Sequence, residues 1–144
     1  MGDQAPEGGN LFPVSVKGVL LDEGRVVLLE NERREWELPG GKLEISEGPE
    51  ECVVREIREE LGLEAEVGPL IDAFVYEVLP GASVLILTYG CFAEDPRGLS
   101  HSEEHSDVGI FGLDELEDIV LPWGYERSIR TWSRHPVLLE WYGH

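Results

Sequence analysis

Three glutamates, Glu56, Glu59 and Glu60, fall within the eight residues "REIREELG", Arg55 to Gly62. On a helix, residues at i, i+3 and i+4 share a face, so the three carboxylates would stand side by side. Like charges at these spacings cost about 0.2 to 0.5 kcal/mol per pair on an exposed helix. Where water is partly excluded, two unit charges 4 Å apart cost about 4 kcal/mol. A positive partner is required, and Arg55, one turn from Glu59, supplies one charge against three. Carboxylate oxygens are hard ligands that match magnesium or manganese rather than zinc. The same octapeptide also reads as a solvated helix face held by Glu–Arg pairing. The residues upstream of it decide between the two.

Hydrophobic spacing shows which elements would position these glutamates. "PVSVKGVLL" and "RVVLLE", separated by "DEG", predict a hairpin, because β-branched and apolar runs flank a short turn containing Gly24. Pro39, Gly40 and Gly41 then break any regular element and let the backbone approach a ligand closely. From Pro49 the period becomes helical. Pro49 suits a first helical position, Glu50 and Glu51 suit the positive end of the dipole, and Gly62 suits the stop, which predicts a helix over about 49–61. Val54, Ile57 and Leu61 are expected to face a sheet, opposite the glutamates. "AEVGPLIDAFVYEVL" and "ASVLILTYGCFA" predict two more strands, the second apolar enough to lie centrally. "HSEEHSD" is a polar loop, "VGIFGL" a short strand, and "DELEDI" and "GYERSIRTWSR" are helical pieces. Residues 137–144 carry no clear period. The sum is a single α/β domain over residues 11–144, after a flexible tail at residues 1–10.

Composition narrows the function. The chain has 144 residues, with 11 Lys and Arg against 30 Asp and Glu, a formal net charge of -19. Such a field repels phosphate backbones, so nucleic acid and anionic membrane surfaces are excluded as partners. A phosphate-bearing substrate would have to be drawn in locally, by a bound metal or a few placed cations. Cys52 and Cys91 form no CxxC pair and read as reduced thiols of a cytoplasmic protein. No apolar run reaches membrane-spanning length. The oligomeric state stays open, a homodimer included.

Read from Gly41, "GKLEISEGPEECVVREIREELGL" sets Glu47, then Arg55, Glu56 and Ile57, then Glu59 and Glu60, then Gly62 and Leu63, at fixed intervals. This stretch resembles the Nudix box at all nine constrained positions over 23 residues, and "WELPGG" leads into it. The likeness extends loosely from Pro13 to Arg134, with Cys52 and Val53 standing where alanines are frequent. The resemblance implies a Nudix-type α/β/α sandwich with a mixed sheet and a loop-helix box. It also implies a hydrolase that splits the diphosphate linkage of a nucleoside diphosphate joined to another group, using Mg2+ or Mn2+. Carried over position by position, Glu56, Glu59 and Glu60 would be metal ligands and the Gly40 carbonyl a further one. Glu47 and Arg55 would form a supporting ion pair. The general base would be Glu59, or a carboxylate of "HSEEHSD", with Glu104 preferred to Glu103 and His105 beside them.

For substrate, Arg33, Arg34 and Lys42 are the cations nearest the box. Trp36, Tyr76, Tyr89, Trp123 and Tyr125 offer stacking faces, with Tyr125 the one retained as a binding residue. The reading favoured is a small nucleotide substrate, a nucleoside triphosphate of the MutT type. ADP-ribose or a nucleotide sugar is the alternative, and a non-catalytic ligand-binding module on the same fold is the third.

Overall fold

Apolar side chains at most positions of "VSVKGVLLD" make a strand that needs cover on both faces, and β1 (Val14–Asp22) takes the middle of the sheet. The computed structural model describes residues 11–93 and 107–142. Residues Val14 to Leu20 of β1 run parallel to β6 (Ala82–Phe92), which pairs antiparallel with the edge strand β5 (Glu66–Leu79). On its other side, β1 pairs at its start with β4 (Gly40–Lys42) and at its end with β2 (Arg25–Glu30). β2 pairs in turn with β3 (Trp36–Glu37) and β7 (Asp107–Gly112). The sheet is mixed, as expected, and the apolar strand β6 does lie inside it.

The first hairpin turns more tightly than "DEG" suggests. Asp22 still belongs to β1, and Glu23 (φ 52°) and Gly24 (φ 74°) make the turn. Two successive residues with positive φ match the twist of the flanking strands, so two residues suffice.

Helices cover both faces of the sheet, giving the α/β/α sandwich. α1 (Pro49–Leu61) buries its apolar stripe against Val16, Leu20, Val27, Leu29 and Cys91. The opposite face carries Val19, Leu21, Val26 and Leu28 against Ile129 and Trp132 of α2 (Trp123–Ser133) and Leu138 of α3 (Pro136–Tyr142). Neighbouring residues of β2 thus serve different layers, the period-two signature of a strand covered on both faces. "DELEDI" falls in a 3-10 segment, Leu113–Asp118, and the stretch left unassigned beyond residue 136 forms α3 as far as Tyr142. Among the described residues, no helix is long and apolar enough to cross a membrane.

α1 begins and ends where the sequence indicates. Pro49 opens it, the Glu51 carboxylate accepts the Gly48 N–H at 3.0 Å, and Gly62 (φ 71°) closes it with its N–H on the Arg58 carbonyl at 2.9 Å. Its buried face differs from the expected one. Cys52, Val53, Ile57 and Leu61 are fully buried, whereas Val54 is only half-buried and Glu60 turns inward. Val53, Ile57 and Leu61 recur every four residues and form one ridge against the sheet, while Val54 stands about 100° round the helix from Val53. Truncating Ile57 to Ala is therefore expected to lower unfolding stability by about 2 to 5 kcal/mol. Val54→Ala should cost less than about 1 kcal/mol. Denaturant unfolding of the two variants checks this, and equal losses would contradict the assigned face.

Candidate active site

The site is built where β4 meets α1; Gly40 and Gly41, expected to break any regular element, instead begin this short strand and pair with Lys17 and Val16 of β1. Gly40 has φ 140°, and a Cβ there would lie 2.1 Å from the Val16 carbonyl oxygen, so only glycine fits. Both ends of this residue are engaged. Its N–H donates to Glu60 Oε1 at 2.8 Å, and its carbonyl accepts from Lys17 Nζ at 3.3 Å. At Gly41, a Cβ would stand 2.4 Å from Glu56 Oε1. The bare backbone at this position is what lets the Glu56 carboxylate press against the loop.

A second tie joins loop to helix. Arg55 Nε donates to Glu47 Oε2 at 2.7 Å and Nη2 to Glu47 Oε1 at 3.0 Å, the two-pronged geometry that gives guanidinium–carboxylate pairs their strength. The hydrogen bonds from Arg55 hold the Glu47 carboxyl down at about 2. Arg55 Nη1 also donates to Glu56 Oε1 at 3.2 Å and Glu59 Oε2 at 3.4 Å, and Nη2 lies 3.7 Å from Glu44 Oε1, so one guanidinium reaches four carboxylates. The support pair inferred from the sequence pattern is present as geometry.

Burial differs sharply along the acidic face. Glu60 is 5% exposed, and burial pushes its carboxyl up to about 8 against the opposing pull of Lys17 and the Gly40 N–H. Glu56 is also raised, chiefly by burial, with Arg55 opposing. The Glu59 side chain is 59% exposed. Among the described residues, no three Asp, Glu, His or Cys side chains converge closely enough to hold an ion as they stand. The residues nevertheless fit a hard divalent cation in type. Glu56 and Glu60 are oxygen donors whose carboxyls burial raises, and Glu59 is exposed and held by one contact of 3.4 Å.

Lys17 is the residue that the sequence pattern did not reveal. It is one of the chain's two lysines, sits on β1 and is 6% exposed. Its ammonium lies 3.7 Å from Glu37 Oε1 and 5.9 Å from the Tyr125 ring centroid. Burial works against its charge, but Tyr125, Glu37, Glu60 and Glu56 outweigh it and hold Lys17 above its ordinary value. In the sequence, Lys17 alternates with Val14 and Val16 beside Ser15 and gives only the signal of a solvent-facing strand position. Lys17 and Glu37 also line a cleft of about 140 Å3, with Asn31, Arg33, Tyr76 and Tyr125 around it.

The remaining candidates divide. Arg33 lines the cleft with its guanidinium on Glu35 at 3.2 Å, and Tyr125, 5% exposed, forms part of its wall. Arg34 occupies an exposed turn (φ 64°), away from the cleft lining. Lys42 is exposed on β4, where its carbonyl accepts from Arg55 Nη2 at 3.4 Å. Trp36 packs edge-on to Phe111, Tyr89 is buried with its hydroxyl on Glu50, and Trp123 is 57% exposed beneath Arg127. Both cysteines are free and buried, and burial pushes each thiol up to about 12, far from reactive. Glu103, Glu104 and His105 lie outside the described residues.

Comparison with known proteins yields consistent matches. A family model described as the NUDIX domain matches residues 11–134. An ADP-ribose pyrophosphatase of Methanocaldococcus jannaschii is 35% identical over 140 residues, covering 84% of this chain and 73% of the relative. A MutT-like protein of Streptomyces ambofaciens is 42% identical over 66 residues, covering 44% of this chain and 43% of the relative. The chain thus spans less than half the length of that second relative. Among solved structures, the MutT protein from Methanosarcina mazei Go1 superposes with a TM-score of 0.72 at 26% identity, covering 85% of this chain and 94% of the other.

Two expectations follow from the geometry. Because Arg55 holds Glu47 at about 2 against an ordinary 4.5, the pair favours the folded chain above about pH 4.5 and loses that effect as pH falls toward 2. The stability gap between wild type and Glu47→Gln should therefore be steady near neutrality and close on acid titration. A gap that persists undiminished into acid contradicts the pair. Separately, Gly41→Ala should displace Glu56 and weaken Mn2+ binding by about tenfold or more, read by electron paramagnetic resonance. Unchanged Mn2+ affinity would show that Glu56 is not aimed by the loop.

Proposed function

The chain belongs to the NUDIX family, and from that premise we propose that it is a Mg2+- or Mn2+-dependent diphosphohydrolase acting on a nucleoside triphosphate. The observation that carries the reading is the set of Glu56, Glu59 and Glu60 on one helix face, opposite a glycine loop that meets two of them. Glu56, Glu59 and Glu60 would hold the ion, with the Gly40 carbonyl as a further oxygen donor. When bound, such an ion neutralises phosphate oxygens and lowers the pKa of water at the reacting phosphorus.

The chain's own groups supply the rest. The Glu47–Arg55 pair fixes the angle between loop and helix, so the carboxylates stay aimed. Glu59, as the exposed carboxylate, can take a proton from the attacking water, and Glu104 is the alternative base. Arg33 and Lys42 are the cations available to phosphate oxygens, with Arg34 further off. The cleft beside Lys17, walled by Tyr76 and Tyr125, is smaller than the several hundred Å3 of a whole-ligand pocket and suits one planar base. A single base beside the carboxylates, with phosphates extending outward, supports a nucleoside triphosphate. ADP-ribose is the second reading, favoured by the 35% identity to the Methanocaldococcus jannaschii enzyme.

Incubation with nucleoside triphosphates and ADP-ribose, with Mg2+ or with EDTA, tests this. Release of nucleoside monophosphate and pyrophosphate is expected only with metal, and Glu59→Gln or Glu60→Gln should lower kcat by about 100-fold or more. Faster cleavage of ADP-ribose would select the second reading. Absence of turnover on every compound would overturn both.

A further inference from the structure

Lys17 is more charged and less satisfied than a structural role requires. Taking an ammonium out of water costs several kcal/mol unless its charge is answered. If the need were only to cap the Gly40 carbonyl, a neutral donor would do so without that cost. An ammonium carries three donors, yet the contacts here are long, 3.3 Å to Gly40 O and 3.7 Å to Glu37 Oε1. Arg55, by contrast, meets Glu47 at 2.7 Å. The position of Lys17 is also particular. Gly40 joins it to Glu60 on one side, and the cleft with Glu37, Arg33 and Tyr125 opens on the other. In a chain of net charge -19, it is a cation buried at the junction of the acidic face and the cleft.

We infer that Lys17 is a phosphate-contacting residue, whose ammonium turns from the Gly40 carbonyl and Glu37 to the phosphate chain where the acidic face meets the cleft. The inference rests on the reading of the substrate as a phosphoanhydride, and it goes further by assigning the contact to a group that belongs neither to the box nor to the surface cations. Loosely held donors can exchange acceptors at little cost, and a phosphate oxygen is a stronger acceptor for an ammonium than a peptide carbonyl. Removing the charge should therefore have opposite effects on the two kinds of ligand. A metal ion near Glu56 and Glu60 loses a repulsive neighbour, whereas a phosphate loses a partner.

Calorimetric titration of Lys17→Met and Lys17→Gln tests this with two probes, Mn2+ alone and the non-hydrolysable imidodiphosphate in excess Mg2+. Gln keeps a donor for the Gly40 carbonyl and covers the case in which Met fails to fold. Both variants should bind Mn2+ at least as tightly as wild type and imidodiphosphate about 10- to 100-fold more weakly. In wild type with 15N-labelled lysines, the Nζ signal of Lys17, one of only two, should shift on adding imidodiphosphate at saturating Mg2+. Parallel loss of both affinities, with an unmoved Nζ signal, would make Lys17 a structural prop and overturn the inference. Equal imidodiphosphate affinity of wild type and variants, undetectable binding by all included, would overturn it as well. Neither result depends on turnover, so both are separable from failure of the hydrolase reading.

Discussion

The site is organised around the peptide unit of Gly40, which is engaged at both ends, its N–H by the buried Glu60 carboxyl at 2.8 Å and its carbonyl by the buried Lys17 ammonium at 3.3 Å. Lys17 opposes the rise that burial imposes on the Glu60 carboxyl, and Glu60 in turn helps to hold Lys17 charged. Through that one dipolar peptide, β1, β4 and α1 are tied together. The backbone at Gly40 adopts φ 140°, which no side chain would tolerate so near Val16, so the arrangement is written into that glycine. The apolar ridge of Val53, Ile57 and Leu61 then fixes α1 against the sheet and keeps Glu60 from swinging out to solvent.

Around this point the chain sets up a gradient of exposure. Glu60 is buried, Glu56 lies against Gly41, and Glu59 stands in solvent. Arg55 spans from Glu47 to Glu56 and Glu59, which limits repulsion without cancelling it. On the proposed reading, a divalent cation among Glu56, Glu59 and Glu60 would favour the ionised form of the two carboxyls that burial raises. On that reading, a strongly acidic protein draws in an anionic substrate locally, since attraction is confined to a few ångströms while the surface at large repels.

Much of this was legible in the sequence, and the parts that were not share a cause. The bounds of α1 follow from Pro49 and Gly62, which act locally, and the mixed sheet follows from strand runs separated by turn residues. The Glu47–Arg55 pair follows from the box pattern and appears as a two-pronged contact. Val54 was assigned to the wrong face because it and Val53 differ by one helical step, and only the sheet decides which of them it covers. Glu60 appeared solvated because its burial depends on Gly40, 20 residues away along the chain. In "VSVKGV", Ser15 and Lys17 alternate with valines and look like the wet face of a strand. The pairing of β4 alongside β1 at Lys17 and the placing of Tyr125 of α2 by the ammonium, which no local pattern encodes, close Lys17 in.

Direct titration with Mn2+ tests most plainly the proposal that the acidic face of α1 binds a divalent cation. Calorimetry on wild type, Glu56→Gln and Glu60→Gln at neutral pH should give saturable binding by wild type, weakened about tenfold or more in each variant. Folded variants that bind Mn2+ as wild type does, or a wild type that binds none, would reduce the three glutamates to an ordinary charged helix face.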